Sequence, residues 1–456
     1  MNVPRNIFRE YDVRGLVDTE LTPALAFALG RAFASAGWKV LGRAPVLAVG
    51  RDNRPSGGAL ATGVRDGIVA AGGTAVDVGM LPTPALYFAV HQLKTDGGLQ
   101  VTGSHNPPEF NGFKMVLAGD SVYGDAILDL YDVIVAETWR SGTGAHGSDG
   151  SVLDGYAAGI ISRHHLARSV KVVIDCGNGV ASLIAERVIN GLGCEVIPLF
   201  CESDGTFPNH HPDPTVPKNL ADLVREVRRT GAELGIAFDG DGDRIGAVDE
   251  HGTVIFGDQL LVILGRDAVR RFGPGVPIIF DVKCSEVLPQ ALTAAGARPE
   301  MWKTGHSLIK ARMKELKAPL AGEMSGHIFF GGDYLGFDDA LFAAARLLEI
   351  VAAGPPGLHR LLADLPRTFA TPEIRVDCPD ALKFGIVEAA TAYFSARYQV
   401  NTIDGVRIAY PDGWSLIRAS NTQPVLVMRF EATNETSLAR YRTEMKEWLA
   451  KKGVEA

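Results

Sequence analysis

The 456-residue sequence is poor in cysteine, in net charge and in uninterrupted apolar runs. Its five cysteines, Cys176, Cys194, Cys201, Cys284 and Cys378, are scattered, odd in number and never spaced C-x-x-C. That excludes a disulfide framework and a cysteine-ligated zinc site, and it fits a reducing compartment. Lys and Arg total 45 against 53 Asp and Glu, a net charge of −8 with both signs interspersed, so no basic stripe marks a nucleic-acid surface. The N-terminus lacks an apolar signal core, and apolar runs such as 339–354 are broken by Arg346 and Glu349. The expectation is a cytoplasmic protein with no nucleic-acid or membrane partner. No G-x-x-x-x-G-K-[ST] is present and the candidate serine is not in G-x-S-x-G, so neither a P-loop nor an esterase elbow is supported. Gly177-Asn-Gly-Val-Ala-Ser182 only approaches a dinucleotide fingerprint: Ser182 stands at its third glycine position, and Glu195 opens the next strand where the ribose-binding acid should close it.

What is present is a strand, a polar turn and a helix, recurring roughly every hundred residues. The first occurrence holds a helical pattern at 23–38, strands at 45–50 and 75–78, a helix near 86–93 and a strand at 98–102. A Gly- and Ser-rich stretch, 141–150, reads as a linker. The pattern restarts with a strand at 171–176, a helix, strands at 195–199 and 234–238 with a helix at 220–229 between them, and restarts again at 277–284. From about residue 367 it changes to a helix (381–398), three strand-like runs (405–410, 415–419 and 425–430) with a hairpin turn at Pro411-Asp-Gly413, and a closing helix at 437–452. The fold class read from this is three related α/β mixed-sheet domains, 1–150, 151–254 and 255–366, plus a C-terminal α+β domain, 367–456.

Four stretches carry the chemistry. Thr102-Gly-Ser104-His105-Asn-Pro-Pro follows a strand, and its prolines stiffen a turn that can aim the Ser104 hydroxyl into a cleft. Lys114, ten residues on, can return to that cleft. Asp239-Gly-Asp241-Gly-Asp243-Arg244 offers three hard oxygen ligands on a backbone free to wrap. Beside a phosphate and without a cation, each like-charge pair would cost roughly 3 kcal/mol at ~5 Å and an effective dielectric of ~20. A divalent ion reverses the sign, and oxygen-only ligands favour Mg²⁺. A calcium loop fails because Arg244 stands where that loop needs glycine. Glu323-Met-Ser325-Gly-His327 provides donors and acceptors suited to sugar hydroxyls. Arg418-Ala-Ser420-Asn421-Thr422 offers a planar fork and a cradle for a phosphate. Together they read as a phosphoryl group carried on Ser104, a metal held by the aspartates and a second phosphate gripped near the C-terminus. The adjacent pairs His164-His165 and His210-His211 read as structural, since neighbouring side chains point apart in extended chain.

In that order, the four motifs resemble the α-D-phosphohexomutase family over nearly the whole chain, and Glu-Met-Ser-Gly-His resembles its bacterial phosphomannomutase/phosphoglucomutase branch. The resemblance implies four domains around a central cleft, the last TATA-binding-protein-like. It implies Ser104 as phosphoserine and as a ligand, with Asp239, Asp241 and Asp243, of Mg²⁺. Glu323, Ser325 and His327 would meet the sugar, and Arg418, Ser420, Asn421 and Thr422 its non-reacting phosphate. Arg14, Lys283 and His306 are carried over into the cleft. The implied activity is phosphoryl transfer between the 1- and 6-positions of mannose or glucose phosphates through a hexose 1,6-bisphosphate, with Arg244 and Lys114 stabilising the transferring charge and Lys114 or His306 moving the hydroxyl proton. The chain is expected to work as a monomer on small hexose phosphates. A metal-dependent sugar-phosphate phosphatase, a phosphoglucosamine mutase and a non-catalytic phosphosugar sensor are the alternatives.

Overall fold

The computed structural model describes residues 3–455. Three of its four sheets share one strand order. In the first, Thr74–Met80, Val46–Arg51 and Gly97–Val101 run parallel and Phe110–Leu117 returns antiparallel beside the last of them. In the second, Glu195–Leu199, Lys171–Asp175 and Leu234–Phe238 are parallel and Ile245–Asp249 returns. In the third, Arg298–Trp302, Pro277–Asp281 and Leu320–Gly322 are parallel and Ile328–Phe330 returns. The loop between the third parallel strand and its return is therefore the same topological position in each. It holds Ser104 in the first sheet, Asp239 to Arg244 in the second and Glu323 to His327 in the third. Ligand sites in open α/β sheets lie at the carboxyl ends of parallel strands, where these three loops emerge.

The inner parallel strands are buried on both sides and read as near-continuous apolar runs, as parallel strands covered by helices do. Every residue of Leu234–Phe238 is buried, for example. Helix Ala340–Ala352 is buried at 12 of its 13 positions, with Asp339 capping its first turn, and it packs against helices of both the second and third domains. The largest apolar cluster runs through both of these domains and takes in Leu81, Ala85, Leu86 and Ala89 of the first, so three domains share one core.

The fourth domain is an antiparallel six-stranded sheet, Val425–Ala432 at its centre, with helices Asp380–Ser395 and Glu435–Ala450 packed through Phe394 and Trp448. Its strand Gly413–Ala419 alternates as a two-faced strand should: Ile417 joins the helix side, while Trp414 and Leu416 meet Val282 of the third domain. Tyr410 pairs with Gly413 across the two-residue turn Pro411-Asp412.

Three local expectations are corrected. Part of the expected linker is structured: Ala145–Ser148 adds a parallel edge strand beside Thr74–Met80, held by backbone hydrogen bonds although every side chain is exposed. The expected helix near 86–93 begins earlier, at Thr83–Gln92, with Pro84 in a first-turn position that needs no backbone donor. After Gly179 the chain makes a 3₁₀ turn, Val180–Leu183, before the short helix Ala185–Gly191. All five cysteines are free, and no helix among the described residues is long and apolar enough to cross a membrane.

Candidate active site

Ser104 adopts φ +50°, the left-handed region that side chains other than glycine avoid, so the turn must be over-determined by its surroundings. It is. Val46–Arg51 lies beside Gly97–Val101 in register, with Arg51 opposite Val101, so the two chains leave the sheet together. Asp52 accepts from the Thr102 hydroxyl at 2.8 Å and from the Gly103 N–H at 3.2 Å, and the Ser104 N–H donates back to Thr102 Oγ1 at 2.8 Å. The Arg54 guanidinium, wholly buried, donates to the carbonyls of Ser104 (2.7 Å), Asn106 (2.6 Å), Pro107 (2.6 Å) and Phe110 (3.0 Å), and its Nε to Asp52. Arg14 pairs with Asp12 at 2.5 Å and reaches Asn106 Oδ1 at 3.0 Å, on the same turn.

The aspartate loop meets this turn backbone to backbone. A Cβ at Gly240 would stand 2.4 Å from the Ser104 carbonyl oxygen, and one at Gly179 would stand 2.9 Å from that of Gly240. Gly179, from the incomplete dinucleotide motif, thus lets the loop approach, and the side chains of Pro212 and His210 crowd the same turn at Gly177. His210 is bound to Asp175 at 3.0 Å and His164 to the Ile160 carbonyl at 2.9 Å, as structural histidines.

Asp239, Asp241 and Asp243 are fully buried, with oxygens within 4.8 Å of one another. Ser104 Oγ lies 3.1 Å from Asp239 Oδ2 and 3.1 Å from His105 Nδ1. Lys114 Nζ bonds Asp241 at 2.7 Å and also bonds Asp243, while Thr83 donates to Asp241 at 2.5 Å. Burial and the charges of Asp243 and Asp241 push the Asp239 carboxyl well above its usual range. Burial pushes Asp241 up too, but Lys114 and the Thr83 hydroxyl overcome it and hold the group low. Asp241 Oδ1 and Asp243 Oδ1 are buried without a hydrogen-bond partner. Convergent buried carboxylate oxygens, two of them unpaired, fit a hard divalent cation.

A second cluster, Asp243, His327 and Asp338, has ligand-like spacing. Arg244 Nε donates to His327 Nε2 at 2.9 Å, and arginine never accepts, so the neutral ring carries its proton on Nδ1. That nitrogen lies 3.0 Å from Asp338 Oδ2 and 3.6 Å from Asp243 Oδ1, the nearer contact not aligned as a hydrogen bond. A protonated Nδ1 closes this cluster to a metal. His327 also forms an isolated bridge with Arg244, which seats the third domain's loop on the second's.

Within that loop Ser325 Oγ donates to Glu323 Oε2 at 3.2 Å and the Gly305 N–H to Glu323 Oε1 at 2.5 Å. His306 follows, its ring 5.7 Å from that of His327 and 5.9 Å from that of Tyr11. Burial and then Lys310 hold His306 far below the usual imidazole range, so it is neutral at pH 7. Lys114 is the opposite case: burial lowers its proton affinity, but Asp241 and Asp243 raise it well above the lysine range. So held, it is a cation paired to both carboxylates.

The fourth domain enters through Asn421, which donates to Tyr11 Oη at 2.7 Å, while Tyr11 donates to the Thr304 carbonyl at 2.8 Å. Arg418 pairs with Asp404 at 2.9 Å and Lys283 with Glu373 at 3.1 Å. Ser420 Oγ accepts from the N–H groups of Thr422 and Gln423, and Lys383, buried, fastens the loop through the carbonyls of Ser420 and Gln423. Thr422 is exposed. Contacts thus run without a break from Ser104 through Asp239, Arg244, His327, His306 and Tyr11 to Asn421. Asp52, Arg54, Thr83, Tyr11 and Lys383 were absent from the sequence reading. For Asp52 and Arg54 the signal was a charged run closing a buried strand; for the others there was none.

The repeated strand order, the three matching loops and the antiparallel fourth domain define a four-domain protein with a buried polar site where its loops meet. Matches to the four phosphoglucomutase/phosphomannomutase models, α/β/α domains I (residues 5–140), II (154–252) and III (256–369) and the C-terminal domain (373–447), show that the chain belongs to that family. It is 48% identical over 445 residues to the phosphomannomutase/phosphoglucomutase of Pseudomonas aeruginosa, covering 97% of this chain and 95% of that one. It is 43% identical over 454 residues to a phosphoglucomutase of Neisseria meningitidis serogroup A, covering 98% and 97%. The crystal structure of a phosphoglucomutase/phosphomannomutase family protein from Burkholderia thailandensis superposes with a TM-score of 0.93 at 43% identity, covering 100% and 99%.

Proposed function

We propose that the chain interconverts the 1- and 6-phosphates of glucose and mannose, with Ser104 as the phosphoryl carrier. The observation that carries this reading is the Ser104 hydroxyl 3.1 Å from the buried triple-carboxylate loop, in a chain of contacts that ends on the fourth domain's Asn421. Asp239, Asp241 and Asp243, with an oxygen on Ser104, would hold Mg²⁺, which supplies neutralisation of phosphoryl charge when bound. Arg244, pinned by His327, and Arg14, pinned by Asp12, present guanidinium groups to the transferring group.

A sugar hydroxyl attacks the phosphorus on Ser104 and passes its proton to neutral His306, while the Ser104 O–P bond breaks and leaves its electron pair on the serine oxygen, which is the nucleophile for the return step. The product is a hexose 1,6-bisphosphate. It turns end for end, and its other phosphate returns to Ser104 as His306 gives the proton back. Glu323 and Ser325 bind ring hydroxyls in either orientation, while Arg418, Ser420, Asn421 and Thr422, together with Lys283, hold whichever phosphate is not reacting. A phosphatase needs no such second grip, because it never rebinds its product. The test is incubation with glucose 1-phosphate and, separately, mannose 1-phosphate. The expected products are the 6-phosphates without free phosphate, with turnover abolished and the phosphoryl mass lost from the protein in Ser104→Ala. Release of inorganic phosphate instead, or unchanged turnover in the variant, overturns the proposal.

A further inference from the structure

A cavity of about 540 Å³ opens between the first and third domains, and none of the residues assigned above to the Ser104 site lines it. Its walls are helix Thr83–Gln92 and residues 116–123 on one side, and helix His306–Leu316 and residues 331–337 on the other. The body of the cavity is aromatic: the Phe337 ring lies 5.4 Å from Tyr87 and 5.2 Å from Tyr334. One edge is cationic. Lys310 and Lys314 stand four apart on one helix face, Lys317 follows at the helix's left-handed C-cap, and Asp120 is the only carboxylate among the lining residues.

These lysines are unequally engaged. Lys310 Nζ lies 4.5 Å over the Tyr87 ring and 3.3 Å from Asp338. Lys314 makes a solvent-exposed pair with Asp120, the kind that contributes little and exchanges readily. Lys317 has no ion pair among those found in the described residues. The volume is that of a small-ligand pocket, and an aromatic wall edged by three ammonium groups, one of them without an ion pair, suits neither a neutral sugar nor a bare inorganic ion.

We propose that this cavity is a second ligand site, taking a small amphipathic organic anion. A ring-shaped apolar body lies against Tyr87, Tyr334 and Phe337, and a carboxylate, sulfonate or phosphate meets Lys310, Lys314 and Lys317. Because the two walls belong to different domains, an occupant ties them together. The inference is independent of the activity proposed above.

The probe is 8-anilinonaphthalene-1-sulfonate, titrated by fluorescence into the native full-length protein, with N-phenyl-1-naphthylamine as its uncharged counterpart. The expected result is one saturable site, at least about tenfold weaker for the uncharged dye and for Lys314→Glu/Lys317→Glu, the loss of two charge-assisted contacts. Ala311→Trp, on the exposed helix surface that lines the cavity, should abolish binding. Equal binding by the charge-reversed protein, equal binding of the uncharged dye, or competitive displacement by glucose 1,6-bisphosphate overturns the proposal. Should Ala311→Trp fail to fold, the two exposed lysine substitutions decide alone.

Discussion

Replacing Gly240 by alanine tests the site at its tightest point. The added methyl carbon would lie 2.4 Å from the Ser104 carbonyl oxygen, about 1 Å inside ordinary contact, with Pro212 Cγ at 3.4 Å limiting retreat on another side. Neither partner is loose. The aspartate loop is closed by the hydrogen bond from Asp239 N–H to the Arg244 carbonyl, and the serine turn is held by four carbonyl contacts to Arg54. The two must separate by about 1 Å, which takes Ser104 Oγ to roughly 4 Å from Asp239 in place of 3.1 Å. A displacement of that size at reacting groups costs on the order of 100-fold in rate, and the overlap itself ~1–3 kcal/mol in stability. The assay is steady-state conversion of glucose 1-phosphate to glucose 6-phosphate, alongside a denaturant midpoint. A fall in kcat with KM nearly unchanged is expected, because the loop around Arg418 is untouched. A kcat within threefold of the parent would refute the claim that contact between these two backbones sets the geometry.

Arg54→Lys keeps the charge beside Asp52 but replaces a five-donor fork with three donors, so some of the carbonyls of 104–110 lose their partners. A loss of roughly 2–3 kcal/mol and a drop in kcat are expected, and an unmoved denaturation midpoint would show that the turn holds itself. Lys114→Met strips the buried counter-charge from Asp241 and Asp243, at a cost of about 3–5 kcal/mol. Millimolar Mg²⁺ should recover much of it, so the Mg²⁺-induced rise in Tm must be larger in the variant than in the parent; equal rises exclude the carboxylates as the metal site. Burial raises Glu373, but Lys283 and Arg375 overcome it and hold it near 2, against 4.5 when free. The folded pKa is depressed, so the stabilisation is complete above pH 4.5 and is lost as pH falls towards 2. It is at most about 3 kcal/mol, less for a side chain one-fifth exposed. Glu373→Gln should flatten the acid limb of the denaturation profile between those values, and a parallel limb would sink the assignment.

The chain's chemistry was legible in sequence wherever it is local. A loop that closes a buried parallel strand must leave the sheet at its carboxyl end, so Ser104, the aspartates and Glu323 could each be placed at a strand end from patterning alone. Their equivalence could not: it follows from the shared strand order, which depends on which strands pair, and pairing leaves little mark in composition when the inner strands are all near-continuous apolar runs. The edge strand Ala145–Ser148 was hidden because its side chains are all exposed and it joins Thr74–Met80 through its backbone.

The supporting residues were hidden by distance along the chain. Arg54 acts on carbonyls some fifty positions away, Thr83 on a carboxylate 158 away and Tyr11 on an amide 410 away. None belongs to a motif, because each recognises backbone or a polar group that the fold alone delivers. His327 shows what this does to inference. Read as a sugar contact, it has Nε2 taken by Arg244, while Nδ1 lies beside Asp338 without an aligned hydrogen bond. Any hydrogen bond it accepts from a ligand at Nε2 must therefore be taken from Arg244, and the guanidinium it orients beside Asp239 would lose its anchor.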